Sequence, residues 1–298
     1  MSAPYQTVDT RWGTRNSHRL GQGNTLPYTG VPFGMNHFVL ETRPGEPRFF
    51  HSEDGTAFGI RLTHQPSPWM GDFAWVTWQV ACLTDKEWKQ LKSPLSAEAS
   101  RELASSGYRG DLAQFRPGFL SYQRLRDGLQ VACCPTRDGA SLKVTPDRRY
   151  PKGHWVMSLV LAQSGWYELE GHELTFYTNQ LAGSKYGQYG QYSRMLAPEG
   201  VAFELCQVVD LGEGLHQLWL ELDGIEVISN QSLHLEWVTS YISPDQLMLN
   251  YGQSDFFGQT WDQQCAQTEA AWEDYLSRLT VSHRERKLVD RFYHCLYR

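Results

Sequence analysis

The sequence has no long apolar run and few cysteines. Of its 298 residues 41% are hydrophobic, and the mean hydropathy is −0.50. No segment approaches the ~20 consecutive apolar residues that cross a bilayer. The six cysteines are dispersed and none belongs to a CxxC pair, which disfavours a zinc site and a disulfide scaffold. We therefore expect no membrane span, and we expect the thiols to be reduced.

Clustered positive charge and a leader segment are also missing. The chain has 27 basic and 33 acidic side chains, a net charge of −6, and no basic stripe, so nucleic acid is not an expected partner. The first residues, Met1-Ser-Ala-Pro-Tyr-Gln6, lack the basic and apolar regions of a secretory signal. We accordingly expect a cytoplasmic protein.

Aromatic residues are abundant, with 11 Trp, 15 Tyr and 13 Phe. Such side chains fill β-rich cores, and they also form flat faces for sugar rings. From Phe73 to about Ile242 the pattern is mostly that of strands. In Gln217–Asp223, for example, Leu218, Leu220 and Leu222 alternate with Gln217, Trp219 and Glu221, which predicts a half-buried strand. Turn sequences such as Arg126-Asp-Gly128 and Arg137-Asp-Gly139 separate these strands. The pattern predicts a mainly β fold, an antiparallel sandwich.

A few helices are predicted as well. Thr84-Asp-Lys-Glu87 is a capping box, and a second short helix is expected over Ala97–Ser106. Near the end, apolar residues at intervals of three or four predict a helix; they are Trp261, Cys265, Thr268, Trp272, Leu276 and Leu279. A further helix presents Leu288, Phe292, Cys295 and Leu296. It ends at Arg298 without a terminating Gly, Asn or Pro, so we expect the natural polypeptide to continue.

The segment Gly13–Met35 is polar, rich in glycine and irregular. Long loops of this kind often carry ligands. Arg15, Asn16 and His18 offer donors and acceptors suited to hydroxyl groups. A surface loop that satisfies only its own backbone is an equally good interpretation.

A second loop, Gly59–Phe73, contains His64, Trp69 and Asp72. Trp69 on a proline-stiffened loop would suit a sugar platform. His64 and Asp72 could form an acid–base pair. The simpler interpretation is that His64 is a structural histidine whose hydrogen bonds are satisfied within the protein. A third segment, Tyr186–Tyr192, would either line a groove or form the tip of a hairpin. The histidine spacings do not match metal sites.

Several of these segments, in this order, resemble the N-terminal domain of glycoside hydrolase family 92, the exo-acting α-mannosidases. The matching segments are Gly13-Thr-x-Asn16, Gly23-Asn-Thr-Leu-Pro27 with Val31-Pro-Phe-Gly-Met35, Arg61-Leu-Thr-His-Gln-Pro-Ser-Pro-Trp-Met-Gly-Asp72, Pro117-Gly-Phe-Leu-Ser-Tyr122, and Trp272-x-x-x-Leu276 with Phe292-Tyr-His-Cys-Leu-Tyr-Arg298. The resemblance covers nearly the whole chain.

The resemblance implies a large sandwich of the galactose-mutarotase type over residues 1–255. A helical linker over 256–298 would lead to an (α/α)6 catalytic domain that the chain does not contain. The full-length enzyme would remove terminal α-linked mannose from glycans by calcium-dependent inverting hydrolysis. Its general acid, general base and most calcium ligands would lie in that further domain. We therefore expect no catalytic residue and no metal in this chain, and no activity from it alone.

The resemblance also implies substrate contacts. Gly13, Thr14, Arg15 and Asn16 would help to form the −1 sugar site, and His18, His64, Trp69 and Asp72 would lie near the substrate. Trp69 falls near the expected leaving-group subsite. The stretch Gln65-Pro-Ser-Pro68 departs from the usual family pattern, which leaves open a linkage other than α-1,2, or a phosphodiester-linked mannose.

Two alternatives come from other classes of function. One is a self-sufficient carbohydrate-binding module, which would bind mannose without a partner domain. The other is a mutarotase-like epimerase that uses His64 and a carboxylate, although a shared fold alone is weak evidence for function.

Overall fold

Two antiparallel β-sheets form the body of the protein, with helices on their outer faces. The computed structural model describes residues 3–15, 25–65, 71–150, 153–180, 190–225 and 232–298. Within this part of the chain, no helix has both the length and the apolar character needed to cross a lipid bilayer. All six cysteines are free thiols.

The described residues include sixteen strands. In chain order they are β1 (His37–Glu41), β2 (Thr56–Ala57), β3 (Gly59–Thr63), β4 (Val76–Leu83), β5 (Ser106–Gly107), β6 (Gln114–Arg116), β7 (Phe119–Gln123), β8 (Leu129–Thr136), β9 (Gly139–Pro146), β10 (His154–Ala162), β11 (Trp166–Glu170), β12 (Glu173–Thr178), β13 (Gln191–Leu196), β14 (Ala202–Gly212), β15 (Leu215–Asp223) and β16 (Leu233–Ser240). One sheet has the order β1-β3-β4-β10-β15-β14 and the other β11-β12-β13-β16-β9-β8-β7-β6, while β2 and β5 pair separately. The pairs are antiparallel throughout, and the predicted mainly β sandwich is confirmed.

Aromatic residues from both sheets meet in the core. Trp237 of β16 is fully buried, and its ring lies 5.8 Å from Phe38 of β1 and 6.1 Å from Phe176 of β12. Leu218 and Leu220 face the same core, as their alternation predicts. Each such side chain contributes roughly 1.5–3 kcal/mol through the apolar area it removes from water. The aromatic content therefore serves first to hold the two sheets together.

Helices cover the outer faces. They are α1 (Pro4–Thr7), α2 (Asp85–Leu91), α3 (Ala97–Ala104), α4 (Pro244–Gly252), α5 (Trp261–Ser277) and α6 (Arg286–Tyr297). The predicted second short helix ends two residues earlier than expected, because Ser106 already belongs to β5. Both α5 and α6 lie within the predicted 256–298 segment. The division of the chain at residue 255 stays a prediction.

The prediction that Gln217–Asp223 form a strand buried on one face only is wrong, because the second face is buried as well. Helices α2 and α3 pack over β15, so Trp219 is fully buried and Gln217 is 2% exposed. The Trp219 indole donates to Ser100 of α3 at 2.8 Å, and the Ser100 hydroxyl donates to Gln217 at 2.7 Å. Alternation in one strand does not tell whether a helix covers the second face.

The terminal helices confirm one predicted face and correct the other. On α5, Thr268, Trp272 and Leu276 are buried as expected, but Leu279, predicted on the same face, lies beyond the end of the helix and is 54% exposed. On α6, by contrast, Leu288 is 40% exposed, whereas the polar His294 is buried. The His294 ring stacks near Trp12 at 4.5 Å, and its Nε2 accepts from the backbone N–H of Asp9. The contact with the N-terminal segment thus sets the orientation of α6.

We expect Thr84→Ala to lower the free energy of unfolding by about 1 kcal/mol. The predicted capping box is present: Thr84 Oγ1 accepts from the Glu87 N–H, and the Glu87 carboxylate accepts from the Thr84 N–H at 2.9 Å. The substitution leaves the Glu87 N–H without its partner. Denaturant titration of this variant beside Thr84→Ser, which keeps the hydroxyl, measures the effect. Equal losses in both variants would contradict the capping role.

Candidate functional site

Two adjoining cavities lie at the end of the sandwich where β1 and β13 begin and β3, β12 and β16 end. They measure about 650 and 620 Å³, and His37 and His64 line both. Tyr241 and Phe73 line the first cavity. Tyr28 lines the second. We call the two cavities together the cleft.

His64 is held at the junction by residues from three distant segments. It follows β3 directly, and its Nδ1 lies 2.8 Å from the Phe73 carbonyl oxygen, to which it donates. Because Nδ1 carries the proton of the neutral ring, Nε2 accepts from Gln191 Nε2 at 3.3 Å. The same amide of Gln191 donates to Asn36 Oδ1 at 2.7 Å, and this oxygen lies 3.0 Å from the ring nitrogen. Asn36 in turn donates to Thr239 at 2.7 Å. The imidazole, both amides and the hydroxyl are thereby fixed in one orientation.

Burial keeps both cleft histidines neutral near pH 7. Burial first, and then the neighbouring His64, lower the pKa of His37 to about 4. The pKa of His64 is also lowered by burial, against the opposing effects of the Phe73 carbonyl and Asp72. Neutral imidazoles bind hydroxyl groups as both donors and acceptors. At neutral pH this junction is therefore a polar but uncharged surface.

Asp72 is buried in an ion cluster and is not paired with the His64 ring. Its Oδ2 accepts from Arg61 at 2.9 Å and from Thr63 at 2.8 Å, and its Oδ1 accepts from the backbone N–H groups of His64 and Phe73, both at 2.9 Å. Arg61 also contacts Glu41 at 3.1 Å. Because these donors occupy the carboxylate, the acid–base pair of His64 and Asp72 is not formed. Asp72 instead fixes the backbone on which His64 and Phe73 stand.

The described part of the first loop approaches the cleft from one side. Gly13 has a φ of +80° and lies against Thr25, which lines the second cavity. Thr14 is buried and donates to the Arg11 carbonyl, whereas the largely exposed Arg15 pairs with Glu53 at 2.6 Å. Neither Thr14 nor Arg15 lines a cavity. The predicted contacts Asn16, His18 and Trp69 lie outside the described residues.

The wall of the second cavity comes from both ends of the chain. The Trp272 indole of α5 donates to the Gly30 carbonyl at 2.7 Å, and the Tyr297 hydroxyl of α6 donates to the Tyr28 carbonyl at 2.6 Å. Arg298 donates to the carbonyls of Leu26 and Thr10. The terminal helices therefore position the loop that follows Thr25.

Sequence reasoning missed Asn36 and Tyr241, because nothing in their local pattern marks them, and it singled out the segment that contains Gln191 without giving that residue a role. Phe73 and Tyr192 stand at the ends of two segments that had been singled out, and both line the first cavity. Tyr192 thus supports the groove interpretation of the aromatic repeat, of which residues 186–189 lie outside the described part. The other cleft residues could have been found only by knowing which strands, distant in the sequence, pair with one another.

The described cleft residues suit binding better than acid–base chemistry. Amide, imidazole and hydroxyl groups alternate with aromatic faces, and neither cavity is lined by a described Asp or Glu. Ca²⁺ requires six to eight oxygen ligands, mostly carboxylates and carbonyls. The carboxylates of Asp72 and Glu41 are already occupied. Within the described ranges no group of three or more His, Cys, Asp or Glu side chains could hold a metal ion, so this surface does not fit calcium by itself.

Comparison with known sequences gives one family match. Residues 7–195 match the family model described as the glycosyl hydrolase family 92 N-terminal domain. Among curated proteins, no sequence matches this chain.

Solved structures share the fold. The inverting mannosidase BT2199 of family GH92, from Bacteroides thetaiotaomicron, superposes with a TM-score of 0.82 at 21% sequence identity. The GH92 α-mannosidase BT3965 of the same organism gives 0.72 at 17%, and the GH92 glycosyl hydrolase ccman5 gives 0.73 at 13%. Each match covers 99% of this chain, but only 39%, 41% and 40% of the respective neighbour. The chain thus spans about two fifths of the length of these proteins.

Proposed function

Because this chain belongs to glycosyl hydrolase family 92 and carries its N-terminal domain, we propose that it forms one wall of the substrate cleft of a longer enzyme that removes terminal α-linked mannose. The observation that carries this proposal is the cleft itself. Its described surface has hydroxyl-binding groups and aromatic faces but no described carboxylate. A surface of this kind holds a sugar and leaves the reaction to groups from elsewhere.

Within the cleft, we propose that His64 binds sugar hydroxyls and that Phe73 and Tyr241 contact a sugar face. The Phe73 and Tyr241 rings lie 4.8 and 5.3 Å from the His64 ring, so the polar and aromatic groups are side by side. Gly13, Thr14, Arg15, Asn16, His18 and Trp69 stay proposed substrate contacts. Asp72 acts as a positioning residue, since it holds the loop and not the sugar. Positioning alone supplies several kcal/mol of rate enhancement in such sites.

The chemistry would follow the inverting scheme of two carboxylic groups. One carboxylic acid protonates the leaving oxygen while a carboxylate activates water on the opposite face of the sugar, and the two stand ~6.5–9.5 Å apart. We place this pair, together with the calcium ligands, in polypeptide beyond the present 298 residues. The residues of this chain would orient the mannose and exclude bulk water from one side.

We expect the 298-residue chain to release no mannose from an aryl α-mannoside, and the longer gene product to release it. Removal of calcium from the longer protein by a chelator should abolish the release, and added calcium should restore it. A colorimetric assay of both proteins at equal concentration measures this. Hydrolysis by the short chain would contradict our placement of the catalytic pair. Mannose binding without hydrolysis by the longer protein would favour the carbohydrate-binding module.

A further inference from the structure

A third cavity of about 410 Å³ lies on the outer face of the eight-stranded sheet, and it shares no lining residue with the cleft. Its floor is a row of residues paired across four strands: Glu173 with Leu196, Leu196 with Glu236, and Glu236 with Ser141. Helix α4 and the start of α5 form its walls. Its volume lies within the usual range of small-molecule sites, roughly 300–1,000 Å³.

Ser141 gives this cavity an unused hydrogen-bonding group. Its side chain is 2% exposed, and Oγ has no hydrogen-bond partner among the described residues. A buried polar atom without a partner costs roughly 1–3 kcal/mol, and such an exception requires an explanation. The hydroxyl lies on the same face of the sheet as Glu236, its cross-strand partner, and both line the cavity. A ligand in the cavity would supply the hydrogen-bond partner that the Ser141 hydroxyl lacks.

The cavity is lined by two carboxylates and one guanidinium, which limits the class of ligand. Arg194 pairs with Glu173, and the Glu236 carboxylate accepts from the Tyr251 hydroxyl at 2.6 Å and from the Gly258 N–H at 2.8 Å. An anion would meet two carboxylates and only one guanidinium, which is already paired. Among the described residues, no group of three or more His, Cys, Asp or Glu side chains could hold a metal ion. What remains suited to the cavity is a neutral molecule with many hydroxyl groups.

We propose that this cavity is a second carbohydrate site, which binds one neutral sugar unit independently of the cleft. Sugar hydroxyls would donate to the carboxylates of Glu173 and Glu236 and would accept from the amide of Gln259, which lines the opposite wall. The Ser141 hydroxyl would form a hydrogen bond with one further hydroxyl group of the sugar. Met248, which is 52% exposed, offers an apolar edge for the sugar ring.

Two indole N–H signals report on the two sites separately in NMR spectra of the full chain. The Trp261 ring packs edge-on to His234 at 5.8 Å, beside the third cavity, and the Trp272 indole bonds to Gly30 in the cleft. The probes are the methyl glycosides of α-D-mannose, α-D-glucose and β-D-galactose, each titrated to tens of millimolar. We expect at least one of them to shift the Trp261 signal in a saturable way.

Ser141→Ala is the decisive variant. It removes a hydroxyl that has no described partner, so the free energy of unfolding should not fall, whereas sugar affinity measured at Trp261 should fall roughly fivefold, the equivalent of one hydrogen bond. His234→Phe keeps the ring contact with Trp261 and tests the neighbouring wall. The matched control is Tyr275→Ala. Tyr275 lines the second cavity and its ring lies 6.0 Å from that of Trp272, so this variant should alter the Trp272 response alone.

The outcomes separate this proposal from the proposed function. A Trp261 response that weakens in Ser141→Ala supports the second site even if Trp272 does not respond, which would count against the cleft only. If no glycoside moves the Trp261 signal, or if Ser141→Ala binds as tightly as the parent chain, the second site does not exist.

Discussion

Asp72→Asn should lower the free energy of unfolding by about 3–5 kcal/mol, the usual loss when one partner of a buried ion pair is removed. Asp72 and Arg61 are 3% and 6% exposed. Hydrogen-bond donors surround the carboxylate: the Arg61 guanidinium, the Thr63 hydroxyl and two backbone N–H groups. An amide in its place directs its own N–H groups at some of these donors. Urea denaturation at neutral pH measures the loss.

The matched control is Asp111→Asn. Asp111 also pairs with an arginine, Arg109, but both side chains are well exposed, and exposed pairs contribute little. We therefore expect this variant to unfold like the parent chain. If Asp72→Asn were equally stable yet lost mannoside binding at Trp272, Asp72 would be a ligand-facing residue, and the structural role given to it here would be wrong.

The fold could be predicted because its signals are local. Alternating leucines in β15, the turns at 126–128 and 137–139 and the capping box at Thr84 each depend on a few neighbouring residues. Burial of Trp219 could not be predicted in this way, since helices α2 and α3 cover it from far along the chain. The same holds for His294, which is buried only because the N-terminal segment packs against it.

The cleft was predictable only as two loops. His64 meets Asn36 and Gln191 across 28 and 127 positions in the sequence, and the strand register that joins them has no local signature. Composition supplied the loops and the resemblance to a family supplied their expected role, but neither supplied the partners of His64. A histidine and an aspartate eight residues apart were compatible with an acid–base pair or with a structural role. The pairing of Asp72 with the buried Arg61 of β3 excludes the acid–base pair.

The free energy of unfolding should fall by about 3 kcal/mol through His37 alone as the pH is lowered from about 6.5 to about 4. The pKa of His37 is lowered to about 4 in the folded protein, chiefly by burial and then by His64, against about 6.5 in an unfolded chain. In this window the unfolded state binds a proton that the folded state does not, so stability decreases as the pH decreases. Above pH 6.5 the contribution is complete, and below pH 4 both states are protonated.

Denaturant titrations of the parent chain and of His37→Phe from pH 7.5 to 4 measure this effect. Phenylalanine retains a ring against Tyr28, which lies 5.2 Å from the His37 ring, but it cannot titrate. In His37→Phe the free energy of unfolding should therefore depend less steeply on pH than in the parent chain. Some dependence should remain, because burial also lowers the pKa of His64, His216 and His234. His283→Phe, at an exposed position, should leave the slope as it is. Parallel curves for the parent and His37→Phe would mean that His37 is hydrated in solution, and the cleft would then be more open at its junction than the packing around Tyr28 and His64 implies.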